Sequence, residues 1–202
     1  MPLITLNEVF DIILMTAALG YIFADSFSKF AHSYKRHLAP EYDPLQEYAT
    51  NKLFAGYNWE SFKFACYVTA PAIILHELGH KIAALLFGLQ ATFHAAYSWL
   101  IFGIILKLLN SGFIFFVPAY VSHSGGATYL QSAIIAFAGP GVNLLLWLGS
   151  WLIVKEKLCT KKYIAFFTLT KHINMLLFFF NMIPIFGFDG EHVLNGIVKT
   201  FF

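Results

Sequence analysis

Ile73-Ile74-Leu75-His76-Glu77-Leu78-Gly79-His80, continuing after Lys81 as Ile82-Ala83-Ala84-Leu85-Leu86, sets two imidazoles and a carboxylate in a strongly apolar run. The run favours helix. In a helix, residues four apart share a face, so His76 and His80 can present both rings to one metal ion. Glu77 lies roughly 100° around the helix, close enough to reach a water at that ion. The plainer alternative is two histidines bonded to backbone beside a stray glutamate. It is disfavoured because burying three such groups without a metal costs on the order of several kcal/mol.

Composition accounts for the apolar setting. Of 202 residues, 58% are hydrophobic and 12% are charged, where ordinary soluble domains carry about 25% charged residues. That balance reads as an integral, multi-pass membrane protein, and at about 20 apolar residues per crossing the length allows about four to six spans. The expected fold is an all-α membrane bundle of about four to six transmembrane helices. It would form one integral-membrane domain over residues 1–202, with a first helix and polar loop over 1–61 and a core that carries the His76–His80 run over 62–202. A net charge of +2 without a basic patch points to no nucleic acid. Cys66 and Cys159 fit no metal or redox spacing. Asn7, Glu8 and Asp11 stand where a signal peptide would be basic, so the first apolar run is read as a retained helix.

Along the chain, residues 12–24 form a first span if Val9, Phe10 and residues 27–30 extend it. Residues 26–60 read as a polar, turn-rich surface loop with one amphipathic helix. Residues 62–88 are the second span, which puts His80 roughly 12 Å below the membrane surface at the Gly88 end. Residues 93–109 hold His94 and Lys107 and read as half-inserted. Residues 113–121 suit an edge strand, a short membrane-associated β segment that must line a cavity or find a partner. Residues 128–154 and 163–183 are clear spans, and 190–202 form a final short amphipathic helix. Lys29, Lys35, Arg36, Lys52 and Lys63, and then Lys155, Lys157, Lys161 and Lys162, make two basic clusters that the positive-inside rule would place in the cytoplasm.

Catalytic zinc takes three protein ligands and keeps a fourth position for water. Asp189 is the favoured third ligand, because it follows an apolar run broken by Pro184 and loosened by Gly187 and Gly190. Its alternatives are a role as helix N-cap, or replacement as ligand by Glu191 or His192. In the preceding span, Gly139-Pro140-Gly141-Val142-Asn143 combines small residues with an amide that could hold a peptide carbonyl or a developing oxyanion, or simply pack helices.

These three segments, in this order, resemble the core of the site-2 protease family of intramembrane zinc metalloproteases. That core has an H-E-x-x-H helix, a span with a G-P-x-x-N-type motif, and a span with Asn and Pro followed by an Asp-Gly pair. Here these are His76 to His80, Gly139 to Asn143, and Asn174 through Asn181 and Pro184 to Asp189-Gly190, together bracketing about 115 residues. The resemblance implies one zinc ion per chain on His76, His80 and Asp189, Glu77 as general base, and Asn143 as a substrate or oxyanion contact. It implies transmembrane proteins of the lipid bilayer as substrates, often membrane-tethered transcription regulators or their inhibitors, cleaved within or next to their spans. It also implies an orientation opposite to the one the first basic cluster suggests. The chain departs from the family in having Phe186-Gly187-Phe188 before Asp189 and Glu191 after Gly190, and 202 residues leave no room for a PDZ-like or CBS-like module. Two other readings remain: a membrane protease similar to the CAAX prenyl proteases, with Glu191 as third ligand, and a non-catalytic protein that binds membrane helices.

Overall fold

A computed structural model of the chain describes residues 4–28, 58–111 and 118–202. The expected polar loop and its amphipathic helix fall almost entirely outside the described residues, as do residues 113–117 of the expected strand. The described elements are α1 Leu6–Phe23, α2 Trp59–Leu86, β1 Ala91–Ala95, α3 Tyr97–Leu108, β2 Ala119–His123, α4 Tyr129–Lys155, α5 Lys161–Asn181 and α6 Asp189–Phe201.

Local chemistry sets the helix ends. Thr5 and Glu8 form a reciprocal capping box at α1, as do Thr128 and Gln131 at α4. The Asn58 side chain accepts from the Ser61 N–H to start α2, and Gly88, with φ of 77°, turns the chain away after its last turn. Helices α1, α4 and α5 are long and apolar enough to cross a bilayer. Helix α2 is the longest at 28 residues, roughly 42 Å against a hydrocarbon core of about 30 Å. Its middle carries His76, Glu77, His80 and Lys81. Among the described residues the bundle has four long helices, α2 included. Their outward faces are apolar, with Leu145, Trp151, Leu152, Leu176 and Phe179 exposed, as suits a bundle whose solvent is lipid.

The segment 93–109 differs from the expectation of one half-inserted run. Its start belongs to β1, and α3 then takes 12 residues, roughly 18 Å and too short to cross a bilayer. β1 pairs antiparallel with β2, with Phe93 opposite Val121 and Ala95 opposite Ala119. The described part of the expected strand near 113–121 lies in β2, which runs on to His123, and its partner is the strand hidden at the head of the 93–109 run. Phe93 and Ala95 face a core with Met15 and Leu19 of α1, Ile73 of α2, Leu100 of α3 and Ala119. A second cluster, Phe64, Val68 and Leu169, joins α2 to α5. This strand pair, a hairpin whose long connection contains α3, thus packs along α2 on both sides of the His-Glu-x-x-His turn, against Ile73 before it and Ala84 after it.

Candidate metal centre

His76 and His80 stack along one face of α2, both buried. The His76 Nδ1 lies 2.5 Å from the Asn143 side-chain oxygen, and the His80 Nδ1 lies 2.7 Å from the Ile135 carbonyl oxygen. Both partners can only accept, so each Nδ1 carries a hydrogen and, in the neutral ring, each Nε2 keeps a free lone pair. The two Nε2 atoms are 3.0 Å apart, and the Asp189 Oδ2 is 3.3 Å from each. With both rings neutral, three lone-pair acceptors converge, an arrangement that a cation held among them completes. Ligand atoms 2.0–2.1 Å from one tetrahedral zinc would lie about 3.3 Å apart, so the spacing and the N,N,O donor set fit zinc. Among the described residues this is the sole group of three or more His, Cys, Asp or Glu side chains close enough to hold a metal.

Close backbone approach makes this geometry possible. A Cβ at Gly139 of α4 would fall into the His80 ring and 2.8 Å from the His76 Nε2, so both imidazoles lie directly on the Gly139 Cα. A Cβ at Gly79 would meet the Ala138 carbonyl oxygen at 2.8 Å, so the same helix pair is tight on the neighbouring turn. Asp189 reaches the histidines because α5 stops at Asn181 and the chain doubles back through Pro184 and Gly187, the latter with φ of 92°. Gly190 packs on the carbonyls of Met182 and Ile183, where a Cβ would lie 2.7 Å from the Ile183 oxygen. The Asp-Gly pair therefore works as a unit: the glycine lets the turn close and the closed turn delivers the acid. Asp189 is the first residue of α6 rather than its cap. Phe188 holds the cap position and no side-chain capping bond forms.

Glu77 is 6% exposed and lines, with His76, a cavity of about 400 Å³ between α1, α2, α5 and the start of β2. Leu19, Phe23, Ile73 and Pro118 make its walls largely apolar. Glu191 does not join the histidines. Its carboxylate accepts from the Gly187 N–H at 3.2 Å, and His192 is exposed.

Asn143, read from the sequence as an oxyanion or substrate contact or as a packing residue, is held within the bundle in this structure. It is fully buried. Its oxygen takes the His76 Nδ1–H, and its Nδ2 donates to the Ala72 carbonyl at 3.1 Å and to the Asn174 side-chain oxygen at 2.8 Å. Both amide hydrogens are engaged, so none remains for an oxyanion. The residue instead orients a histidine, in a chain of bonds that runs from α2 through α4 to α5, where Asn174 donates to the Thr170 carbonyl at 2.8 Å. The spacing of Asn143 and Asn174 in the sequence gave no hint that they touch.

A membrane helix bundle that brings this donor set beside a buried glutamate defines a metallopeptidase of the His-Glu-x-x-His kind. The family model of peptidase family M50 matches residues 148–202, the part that contains Asp189. A Methanocaldococcus jannaschii protein provisionally named a zinc metalloprotease is 35% identical over 137 residues, 66% of this chain and 70% of that protein. A Synechocystis protein with the same provisional description is 27% identical over 147 residues, 73% of this chain but 34% of its own length. No solved structure matches the chain. The chain belongs to peptidase family M50, the site-2 proteases. That membership, with Glu191 turned away from the histidines, displaces the prenyl-protease-like alternative.

Proposed function

We propose that this chain is an intramembrane endopeptidase that uses one zinc ion to hydrolyse peptide bonds within or next to the transmembrane segments of other membrane proteins. The observation that carries the reading is the convergence of the His76 and His80 Nε2 atoms and the Asp189 Oδ2 on one point, beside Glu77 and a largely apolar cavity. A bound zinc ion supplies Lewis acidity, which makes a water acidic near neutral pH and polarises a peptide carbonyl. The protein's own groups do the rest. Asn143 and the Ile135 carbonyl hold the two rings in the one tautomer that leaves both Nε2 lone pairs free. Asp189 contributes the single negative charge of the ligand set. Glu77 takes the proton from the attacking water and returns it to the leaving amine nitrogen.

Burial of the site supports this choice of substrate class. A helical segment has its amides satisfied internally, and each one freed in hydrocarbon costs on the order of several kcal/mol. Cleavage therefore requires local unwinding, which strand pairing with β2 would offset. The test is Glu77→Gln in the full chain, reconstituted with a single-span substrate. Zinc should stay at one ion per chain while turnover falls by about 10²–10⁴-fold. Loss of zinc together with turnover would make Glu77 a ligand and overturn its role as base. Absence of zinc from the unaltered protein would overturn the reading as a whole.

A further inference from the structure

The hairpin beside the site has two edges, and helix α1 treats them differently. The Ser124 N–H donates to the Gln90 carbonyl at 2.8 Å and the Ala96 N–H to the Pro118 carbonyl at 3.0 Å. In an antiparallel pair such bonds recur at every second residue, so the even-numbered residues of β1 bond across to β2. Ala91, Phe93 and Ala95 must then direct their N–H groups outwards, towards α1. Two acids three residues apart on α1 meet two of them. The Phe93 N–H donates to Glu8 Oε1 at 2.7 Å and the Ala95 N–H to Asp11 Oδ2 at 3.0 Å.

Each carboxylate is filled from its other side as well. Lys81 pairs with Glu8 Oε1 in a contact buried on both sides, the Thr5 N–H donates to Glu8 Oε2 at 2.7 Å, and the Tyr97 hydroxyl donates to Asp11 Oδ1. Lys81 directly follows His80, so Glu8 ties the hairpin and the histidine-bearing helix to one point. On the other strand, Ala119, Val121 and His123 direct their N–H groups away from β1 by the same alternation. Among the described residues no acceptor takes them. Ala119 also lines the cavity that holds His76 and Glu77.

We propose that Glu8 and Asp11 clamp the outer edge of β1 shut, so that an extended segment of a membrane-protein substrate can add to this hairpin only along β2, in line with Glu77. The proposal rests on the protease reading for its substrate. The clamp is a claim about the protein alone. Glu8 and Asp11 act through the hairpin and are positioning residues. An unpaired strand edge in lipid or in a site is a template for pairing, and a buried carboxylate that takes a backbone N–H removes that template as effectively as a third strand would.

The experiment has two arms, both on the full chain in lipid nanodiscs. In the first, amide hydrogen exchange compares Asp11→Leu, which has no acceptor, with Asp11→Asn, which keeps one. Asp11→Leu should speed exchange of the segment 91–97 by about tenfold or more and leave 76–80 unchanged, while Asp11→Asn stays within about threefold of the unaltered protein. Equal exchange in all three, or faster exchange spread evenly over the bundle, overturns the clamp. This arm needs no cleavage, so it stands apart from any failure of the protease reading.

In the second arm, the Glu77→Gln protein with Cys66→Ser and Cys159→Ser carries one new cysteine, at Ser122→Cys of β2 or at Thr92→Cys of β1. It is oxidised with a single-span substrate bearing one cysteine next to the scissile bond. Disulfide trapping at position 122 and not at 92 is expected while the clamp is intact, with trapping at 92 appearing once Asp11→Leu is added. Equal trapping at the two positions with Asp11 in place overturns the proposal. This arm remains decisive if Asp11→Leu fails to accumulate.

Discussion

Two helices of this bundle carry ionisable side chains at helical spacing in apolar surroundings, and the two sets end in opposite states. On α1, Glu8 and Asp11 have every carboxylate oxygen met by a donor: Lys81, the N–H groups of Thr5, Phe93 and Ala95, and the Tyr97 hydroxyl. On α2, the donors are used on the far side of each ring. The Nε2 atoms of His76 and His80 are left facing Asp189 at 3.3 Å, and in the neutral rings they bring only lone pairs to it. Burial and spacing alone therefore do not separate a structural cluster from a chemical one. The inventory of donors does: a satisfied set has reached its resting state, whereas converging lone pairs are completed only by a cation.

The contrast can be broken most severely at Gly139. A methyl group in Gly139→Ala would occupy the space of the His80 ring, so zinc per chain should fall to about one tenth or less, with activity lost in proportion. Gly141→Ala serves as the matched control, because its Cβ would meet only the Phe137 ring at an ordinary 3.5 Å. Metal analysis of the two purified proteins checks the pair, and equal zinc content would refute the packing argument. Asp189→Asn comes next. It keeps the shape of the turn and removes the only charge among the proposed ligands, so zinc affinity measured by chelator competition should drop by roughly 100-fold or more. If Glu191→Gln did this and Asp189→Asn did not, the third ligand would have been misplaced. The smallest effect is expected from Asn143→Ala, which frees the His76 ring to rotate. Zinc should bind about 10–100-fold more weakly, and Asn143→Asp, which keeps an acceptor for the Nδ1–H, should recover part of that loss. A residue acting only on an oxyanion would instead lower turnover and leave zinc affinity untouched.

The long helices were legible because their apolar runs are closed by charged or helix-breaking residues, such as Lys155-Glu156-Lys157 after α4 and Pro184 beyond α5. The turn from His76 to His80 was legible because the ligand spacing of a helix is written locally. β1 was not. Ala91 to Ala95 is short, and Ala96 and Tyr97 carry the apolar run into α3 without a glycine, a proline or a side-chain cap to mark the change. The role of Asn143 was hidden for a different reason. Its side chain is defined by residues 67 and 31 positions away, and a free amide and a committed one look identical in a sequence. Glu8 and Asp11 were read only as acids where a signal peptide would be basic, and their partners Phe93 and Ala95 lie 85 and 84 positions further on. Backbone groups, moreover, leave no trace in residue identity.

The turn that sets Gly190 against the Met182 and Ile183 carbonyls also puts a clock into the biosynthesis of this protein. The proposed ligand set is split across 109 positions, from His80 to Asp189, and at about 5–20 residues per second a ribosome needs roughly 5–20 s to cover that distance. Throughout that interval the two histidines are already made while the carboxylate is not. A nascent chain therefore carries an incomplete ligand set, which closes only after α6 has emerged and folded back.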